Sequence, residues 1–525
     1  MQNIDWNYEV QRRQEALMRD LSALLAIPSV KDLRTAGPDA PLGAESARAL
    51  RYMLDLAAQH GLHTVNHEGI VGYAAYGGRD VREGDSAETD KLTVTAEAGA
   101  GAGDDYVAVL SHVDVVPATG TWTSPPFEPT VRDGRLYARG AIDDKGPTMA
   151  AFYGLLIVKE LGLPLRNQVR LIIGTDEETG MHCMEAYNRH EHPPLAGFTP
   201  DADFPIVHAE KGQVNTQMKL RFDATASCGV GGGSDSSEGD AALELRTFRS
   251  GTAANMVPDA AKAVVHGSRL ALNALEYAWQ AYCAERGLEG SSEPVAEQNA
   301  LILRMAGKSA HGMVPEHGNN AGLRLLEFLD TQLSAFVGHD ARFIHGAGDL
   351  LAGDTAGEAL GIASRDEATG ALTVNVGLLQ YDSAAQEGYF HLNIRFPSCI
   401  TGEQIVETLN ERIAPYGFEL SPPIIKPSHL VPADHPMIRA LQAVYTEQTG
   451  EEATLLSTGG GTYACKLPNC VAFGPLFPGE LDTAHQPDES IEIVSLMKSA
   501  AIYAQAIYTL ANLDYSAPVE RGLQP

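Results

Sequence analysis

Tyr106-Val-Ala-Val-Leu-Ser-His-Val-Asp114 is an apolar run that closes on polar groups. A short run of this kind reads as a strand buried on both faces, as in a parallel sheet. Gln168-Val-Arg-Leu-Ile-Ile-Gly174 repeats the pattern and ends in Thr175-Asp-Glu-Glu178. Between the two, 147–161 reads as an apolar helix with Pro147 near its start, where a missing N–H costs nothing. Further strands are expected at 71–76 and 204–208, and one helix over 8–26, stopping before Pro28. This alternation predicts an α/β domain with a mostly parallel central sheet. Such sheets bind ligands beyond the carboxyl ends of their strands, which is where 111–114 and 175–178 fall.

After Lys211-Gly212 the character changes. Segment 213–222 alternates like an antiparallel strand, strand-like segments recur at 299–306, 371–381 and 389–396, and helical ones near 266–286 and 319–337. From about 400 the chain looks α/β again and carries His485. A ligand near 485 must converge with others at 112–201. The expected organisation is therefore a catalytic domain, 1–212 and 400–525, interrupted by an inserted α+β domain, 213–399. Two Gly- and acid-rich stretches, 80–105 and 228–240, read as surface additions.

The chain has 525 residues, 44% of them hydrophobic, enough for two or more domains with large cores. Its formal net charge of −30 disfavours nucleic acid and anionic membrane surfaces as partners. The first fifteen residues carry no apolar signal-like core, and no run of eighteen apolar residues occurs, so no membrane span is expected. Six irregularly spaced Cys with no CxxC pair read as reduced thiols of a cytoplasmic protein.

Five segments carry the chemistry: Ser111-His112-Val113-Asp114, Ala141-Ile142-Asp143-Asp144-Lys145-Gly146, Thr175-Asp176-Glu177-Glu178, Pro200-Asp201-Ala202-Asp203 and His485-Gln486-Pro487-Asp488-Glu489. Two His and three or more carboxylates are what a pair of Zn2+ ions bridged by a carboxylate and a water requires. His112 and Asp114 leave one face of a strand end, so the Asp114 carboxylate can hold the far ring nitrogen of His112. Of the adjacent acids Asp143 and Asp144, one can ligate while the other points away. Of Glu177 and Glu178, one can ligate while the other serves as base. Taken singly, these segments are equally a structural His–Asp pair, a loop turn and a solvated acidic turn. His190 and His192 flank Glu191 without forming HExxH and read as surface. Gly231-Gly-Gly-Ser is no P-loop, since Gly-Lys-Ser/Thr does not follow. Gly459-Gly460-Gly461-Thr462-Tyr463, at a strand-to-helix junction, is either a tight turn or a backbone cradle for a substrate carboxylate.

Taken in order, from Leu25-Ala-Ile-Pro-Ser-Val30 to Ser490, these segments resemble the M20 family of co-catalytic zinc peptidases, in particular its PepV-like dipeptidase branch. The resemblance implies that His112 and Asp201 hold one zinc, Glu178 and His485 the other, and that Asp143 bridges both. It implies that Asp114 orients His112, that Glu177 is the general base, and that the Asp143–Asp144 peptide is cis. It also implies that the insertion is a lid. There Asn255 (in Ala254-Asn-Met-Val-Pro), His311 (in Ser309-Ala-His-Gly) and Arg395 (in Asn393-Ile-Arg-Phe-Pro) would bind substrate, with His311 also catalytic and Gly460, Gly461 and Thr462 beside them. Cys465 is a departure, standing where family members often carry Arg. The implied activity is that of a dinuclear zinc exopeptidase acting on dipeptides and short unblocked peptides, with a metal-bridging water activated by Glu177. Mn2+ or Co2+ could replace zinc. A deacylase of N-acyl amino acids is an alternative within hydrolases, and a non-catalytic metal- or peptide-binding protein is one outside them. Small peptides are the expected partners. The large insertion favours a monomer with His311 acting in cis.

Overall fold

The computed structural model describes residues 4–78, 105–222 and 243–516. Segment 228–240, and 80–105 apart from Asp105, lie outside the described residues. The chain forms two compact units, one of 1–209 with 431–456 and 461–525, the other of 210–430 with 457–460.

The first unit is built on a nine-stranded sheet. Its centre runs Gln168–Gly174, Tyr106–His112, Ala196–Thr199, Cys470–Ala472, all parallel neighbours. The edges are antiparallel, with His63–His67 and Val71–Tyr76 on one side and Ile206–Glu210 on the other. Every residue of Tyr106–His112 is buried, as an unbroken apolar run demands. Because His112 pairs with Gly174, and Ala196–Thr199 runs parallel beside them, the segments after all three strands leave the same sheet edge.

The helices Lys145–Glu160 and Ile493–Ala511 are buried nearly all round. They meet at Gly154, where a Cβ would stand 2.9 Å from the Ala504 nitrogen, so only glycine allows that approach. Among the described residues, Ile493–Ala511, with mean hydropathy 1.2, is long and apolar enough to cross a membrane. Ser495, Lys498, Ser499 and Gln505 interrupt its apolar run. Two-thirds of the helix is buried in the protein's own core.

The second unit holds a nine-stranded sheet whose described pairings are all antiparallel. Its helices Arg269–Arg286, Ala321–Thr331, Gly338–Leu350 and Gly402–Ile413 bury apolar faces in one core. This unit extends past the expected boundary at 399. Phe418–Leu420 and Ile424–Lys426 pair with Gly212–Leu220, and Ile405, Leu409 and Ile413 join the same core. The single helix expected over 8–26 is two, Trp6–Gln11 and Gln14–Leu25. The helix expected from 147 starts at Lys145, which makes Asp144 its N-cap.

Candidate metal centre

Three parallel strands and two loops of the first unit bring the five segments together. His112, Asp143 and Asp201 offer ligand atoms within 4.8 Å of one another, as do Asp143, Glu178 and His485. Asp143 belongs to both groups. Its Oδ1 lies 3.1 Å from His112 Nε2 and its Oδ2 2.9 Å from His485 Nε2. Asp201 Oδ2 is 3.7 Å from His112 Nε2, and Glu178 Oε2 is 3.0 Å from His485 Nε2. The Asp143–Asp144 peptide is cis.

His112 Nδ1 lies 3.1 Å from the Asp114 carbonyl oxygen. A carbonyl only accepts, so Nδ1 carries a proton and Nε2 is the ring nitrogen that faces the carboxylates. The Asp114 carboxylate is farther from the ring, at 3.5 Å. It accepts instead from the amides of Glu177 and Glu178, each at 3.2 Å. Asp114 therefore fixes the ring through its backbone and the acidic turn through its side chain. Asp144 is turned away, accepting from the His112 amide at 3.2 Å and the Thr148 hydroxyl at 3.1 Å. Asp176 also leaves the cluster, taking Lys31 Nζ at 2.7 Å and His182 Nδ1 at 2.8 Å.

Two residues without a sequence-assigned role stand behind Asp143. Glu489 Oε1 accepts from the amides of Ile142 at 3.0 Å and Asp143 at 3.2 Å, and its Oε2 pairs with Arg139 Nη1 at 2.5 Å. Both side chains are 1% exposed. Glu489 closes the segment that begins at His485, but its partner Arg139 is 350 positions away, so spacing carries no signal of the pair.

The electrostatics favour a cation. Burial, then the Asp201 charge, raises Glu177 well above the usual carboxylate range. Burial and Asp143 push Glu178 up to about 7. Asp201 is raised by burial and by Asp143. Burial would raise Asp143 too, but His112 and His485 hold it below its ordinary value. Asp143 and Glu178 in turn lift His485 to about 11. Burial lowers His112, and the surrounding Asp114, Asp143 and Asp201 more than reverse it. Acids that repel one another and imidazoles drawn into the charged form both register a shortage of positive charge at this point. His112 Nε2 and Glu178 Oε1 are moreover buried without a hydrogen-bond partner. Two imidazoles and three carboxylates within this span form a donor set that ions with bonds of about 2.0–2.2 Å can draw together. The residues fit a metal pair.

The second unit holds the remaining sequence-predicted residues. The Asn255 carbonyl accepts the Gly312 amide at 2.7 Å, next to His311. His311 Nδ1 accepts the Met313 amide at 3.2 Å. Asn375 Nδ2 braces the same loop, reaching the carbonyls of Ala254 at 2.8 Å and Met256 at 3.1 Å. Arg395 is buried, donates to the Gly459 carbonyl at 2.8 Å and to Asn393 Oδ1 at 3.2 Å, and is lowered to about 10 by burial. The Gly460 amide is taken by Thr458 Oγ1 at 3.0 Å. In the first unit, Thr462 Oγ1 accepts from the Ala464 amide at 3.2 Å, ahead of a single 3-10 turn, Tyr463–Lys466.

Comparison with known proteins agrees with this geometry. The profile of Peptidase family M20/M25/M40 matches residues 108–509. "Putative dipeptidase YtjP" of Bacillus subtilis (strain 168) is 44% identical over 97% of this chain and 100% of its own length. "Putative dipeptidase SH1171" of Staphylococcus haemolyticus (strain JCSC1435) is 35% identical over 96% and 99%. Human carnosine dipeptidase 1 shares the fold with a TM-score of 0.51 at 13% identity, covering 97% of this chain and 99% of that one. Aminoacylhistidine dipeptidase from Vibrio alginolyticus does so with 0.52 at 13%, covering 94% and 96%. The chain belongs to peptidase family M20/M25/M40 and is a hydrolase of peptide bonds.

Proposed function

From that family membership, we propose that the protein is a dinuclear zinc dipeptidase of the PepV-like branch, hydrolysing dipeptides and short unblocked peptides. The observation that carries the reading is Asp143, whose two oxygens face two separate ligand groups. His112 and Asp201 would hold one ion, Glu178 and His485 the other, and Asp143 both. When bound, the ions polarise the scissile carbonyl and acidify the water between them. The chain's own residues do the rest. Glu177, which burial makes a stronger base, takes a proton from the attacking water as the oxygen bonds to the carbonyl carbon. The same carboxyl delivers that proton to the amine nitrogen as the C–N bond breaks. His311 Nδ1 accepts from the Met313 amide, so Nε2 carries a proton, and His311 would donate it as a hydrogen bond to the carbonyl oxygen as charge grows there. Arg395 keeps its charge at neutral pH and grips the substrate carboxylate, with Asn255 and the Gly460-Gly461-Thr462 segment as further substrate contacts. Mn2+ or Co2+ replaces zinc where availability favours it.

A cytoplasmic monomer that engages neither nucleic acid nor membrane completes the proposal. The irregular spacing of the cysteines, with no CxxC pair, and the net charge of −30 support it. The test is metal analysis of the purified protein with a panel of free and N-acetylated dipeptides. Two metals per chain and turnover of the free peptides alone are expected. Faster turnover of N-acyl substrates would make it a deacylase, and two metals without turnover a binding protein.

A further inference from the structure

Resting on the metal centre proposed above, we propose that Glu489, charge-balanced by Arg139, is the positioning residue that sets Asp143 between the two ions. Glu489 lies four residues after His485, on the same loop. Its carboxylate reaches back to the amides of Ile142 and Asp143, and its carbonyl accepts the Ala138 amide at 3.1 Å. One residue thus ties the backbone of the shared acid to the loop of a ligand. The tie is dry, since neither Glu489 nor Arg139 has appreciable exposure. Arg139 is anchored in turn. Its amide donates to the Pro126 carbonyl at 2.8 Å, and its guanidinium lies 5.1 Å from the Trp122 ring centre. Asp488, the residue before Glu489, takes the Thr123 amide at 2.9 Å and hydroxyl at 2.6 Å, which pins the loop to the same 122–126 segment.

A buried carboxylate facing a buried guanidinium is weak evidence for stability, because desolvation offsets most of the attraction. What the pair provides is position. It gives two backbone N–H groups a fixed acceptor, and so sets where the Asp143 side chain starts. Groups that hold metal ligands in this indirect way typically change metal affinity by about 10–100-fold when altered.

The test is zinc competition against a chromophoric chelator, run on apoprotein of wild type, Glu489→Leu, which removes the acceptor, and the charge-matched double variant Arg139→Met/Glu489→Leu, each with its apo unfolding midpoint. The double variant leaves no unpaired buried charge, so it keeps the test open if Glu489→Leu alone fails to fold. The expected result is two ions on wild type, and on the double variant an apo midpoint near wild type with zinc held about 10–100-fold more weakly. Wild-type affinity for both ions in the double variant would overturn the inference. So would zinc loss that merely follows a fallen apo midpoint, since the pair would then be structural only. Fewer than two ions on wild type would instead break the metal reading on which this rests.

Discussion

The two halves of the cluster share Asp143 and differ in almost everything else. His112 is 1% exposed and ends a buried strand, its ring fixed by the Asp114 carbonyl and its amide by Asp144. His485 is 55% exposed and sits on a loop at φ +63°, a left-handed conformation that costs a non-glycine residue about 1–2 kcal/mol. Its partner Glu178 is held only by the turn whose amides Asp114 grips. A charge in the first half is far from water and costs more to leave uncompensated, so a cation there gains more. In the second half only His485 is exposed, since the Glu178 side chain is 6% exposed, so this half is reached from solvent on its His485 side. The fold therefore provides one site made rigid by the sheet and one that a loop completes.

The largest expected effect leaves this contrast untouched. Glu177→Ala should lower kcat by about 10^2–10^4-fold with both ions retained. Steady-state kinetics with metal analysis check it, and a variant holding more than about a tenth of wild-type kcat is not missing its general base. His311→Ala belongs to neither half and should cost about 10^2–10^3-fold in kcat without loss of zinc. Mixing it with Glu177→Ala protein should restore nothing; recovered activity would mean that His311 is lent by a second copy.

Asp143→Ala should abolish the contrast, emptying both halves, whereas Asp201→Ala should deplete only the His112 half. Two zinc per chain in Asp143→Ala would end the bridging role. A smaller effect separates the halves by pH. His485 is raised to about 11 in the metal-free protein, so it is protonated at neutral pH and zinc must displace that proton. Apparent affinity at the His485 half should then rise about tenfold per pH unit above pH 7, and more steeply below it where Glu178 also gives up a proton, as measured by competition titration. An affinity flat in pH would show that no proton leaves His485 on binding.

Much of this was legible in the chain. The strands Tyr106–His112 and Gln168–Gly174 are continuous apolar runs whose polar ends mark the site, and the structure begins and ends the latter where the pattern does. His112, Asp143, Glu178, Asp201 and His485, each in a different one of the five polar segments, come together in two groups that share Asp143. What stayed hidden is what depends on distant partners. Phe418–Leu420 and Ile424–Lys426 have three residues each, too few to show a period, and only their pairing with Gly212–Leu220 assigns them to the second unit. The Asp114 side chain was expected on the imidazole, but the amides of Glu177 and Glu178, which no residue spacing reveals, take it instead. Arg139 and Glu489 look like ordinary surface charges until the fold buries them against each other.

The most direct test is a zinc titration of the apoprotein alongside His485→Ala. The account predicts two ions on wild type, the tighter one in the His112 half, and one retained ion on His485→Ala with affinity close to that first step. A single ion on wild type, or two ions on His485→Ala with unchanged affinities, would contradict a centre built from two unequal halves around Asp143.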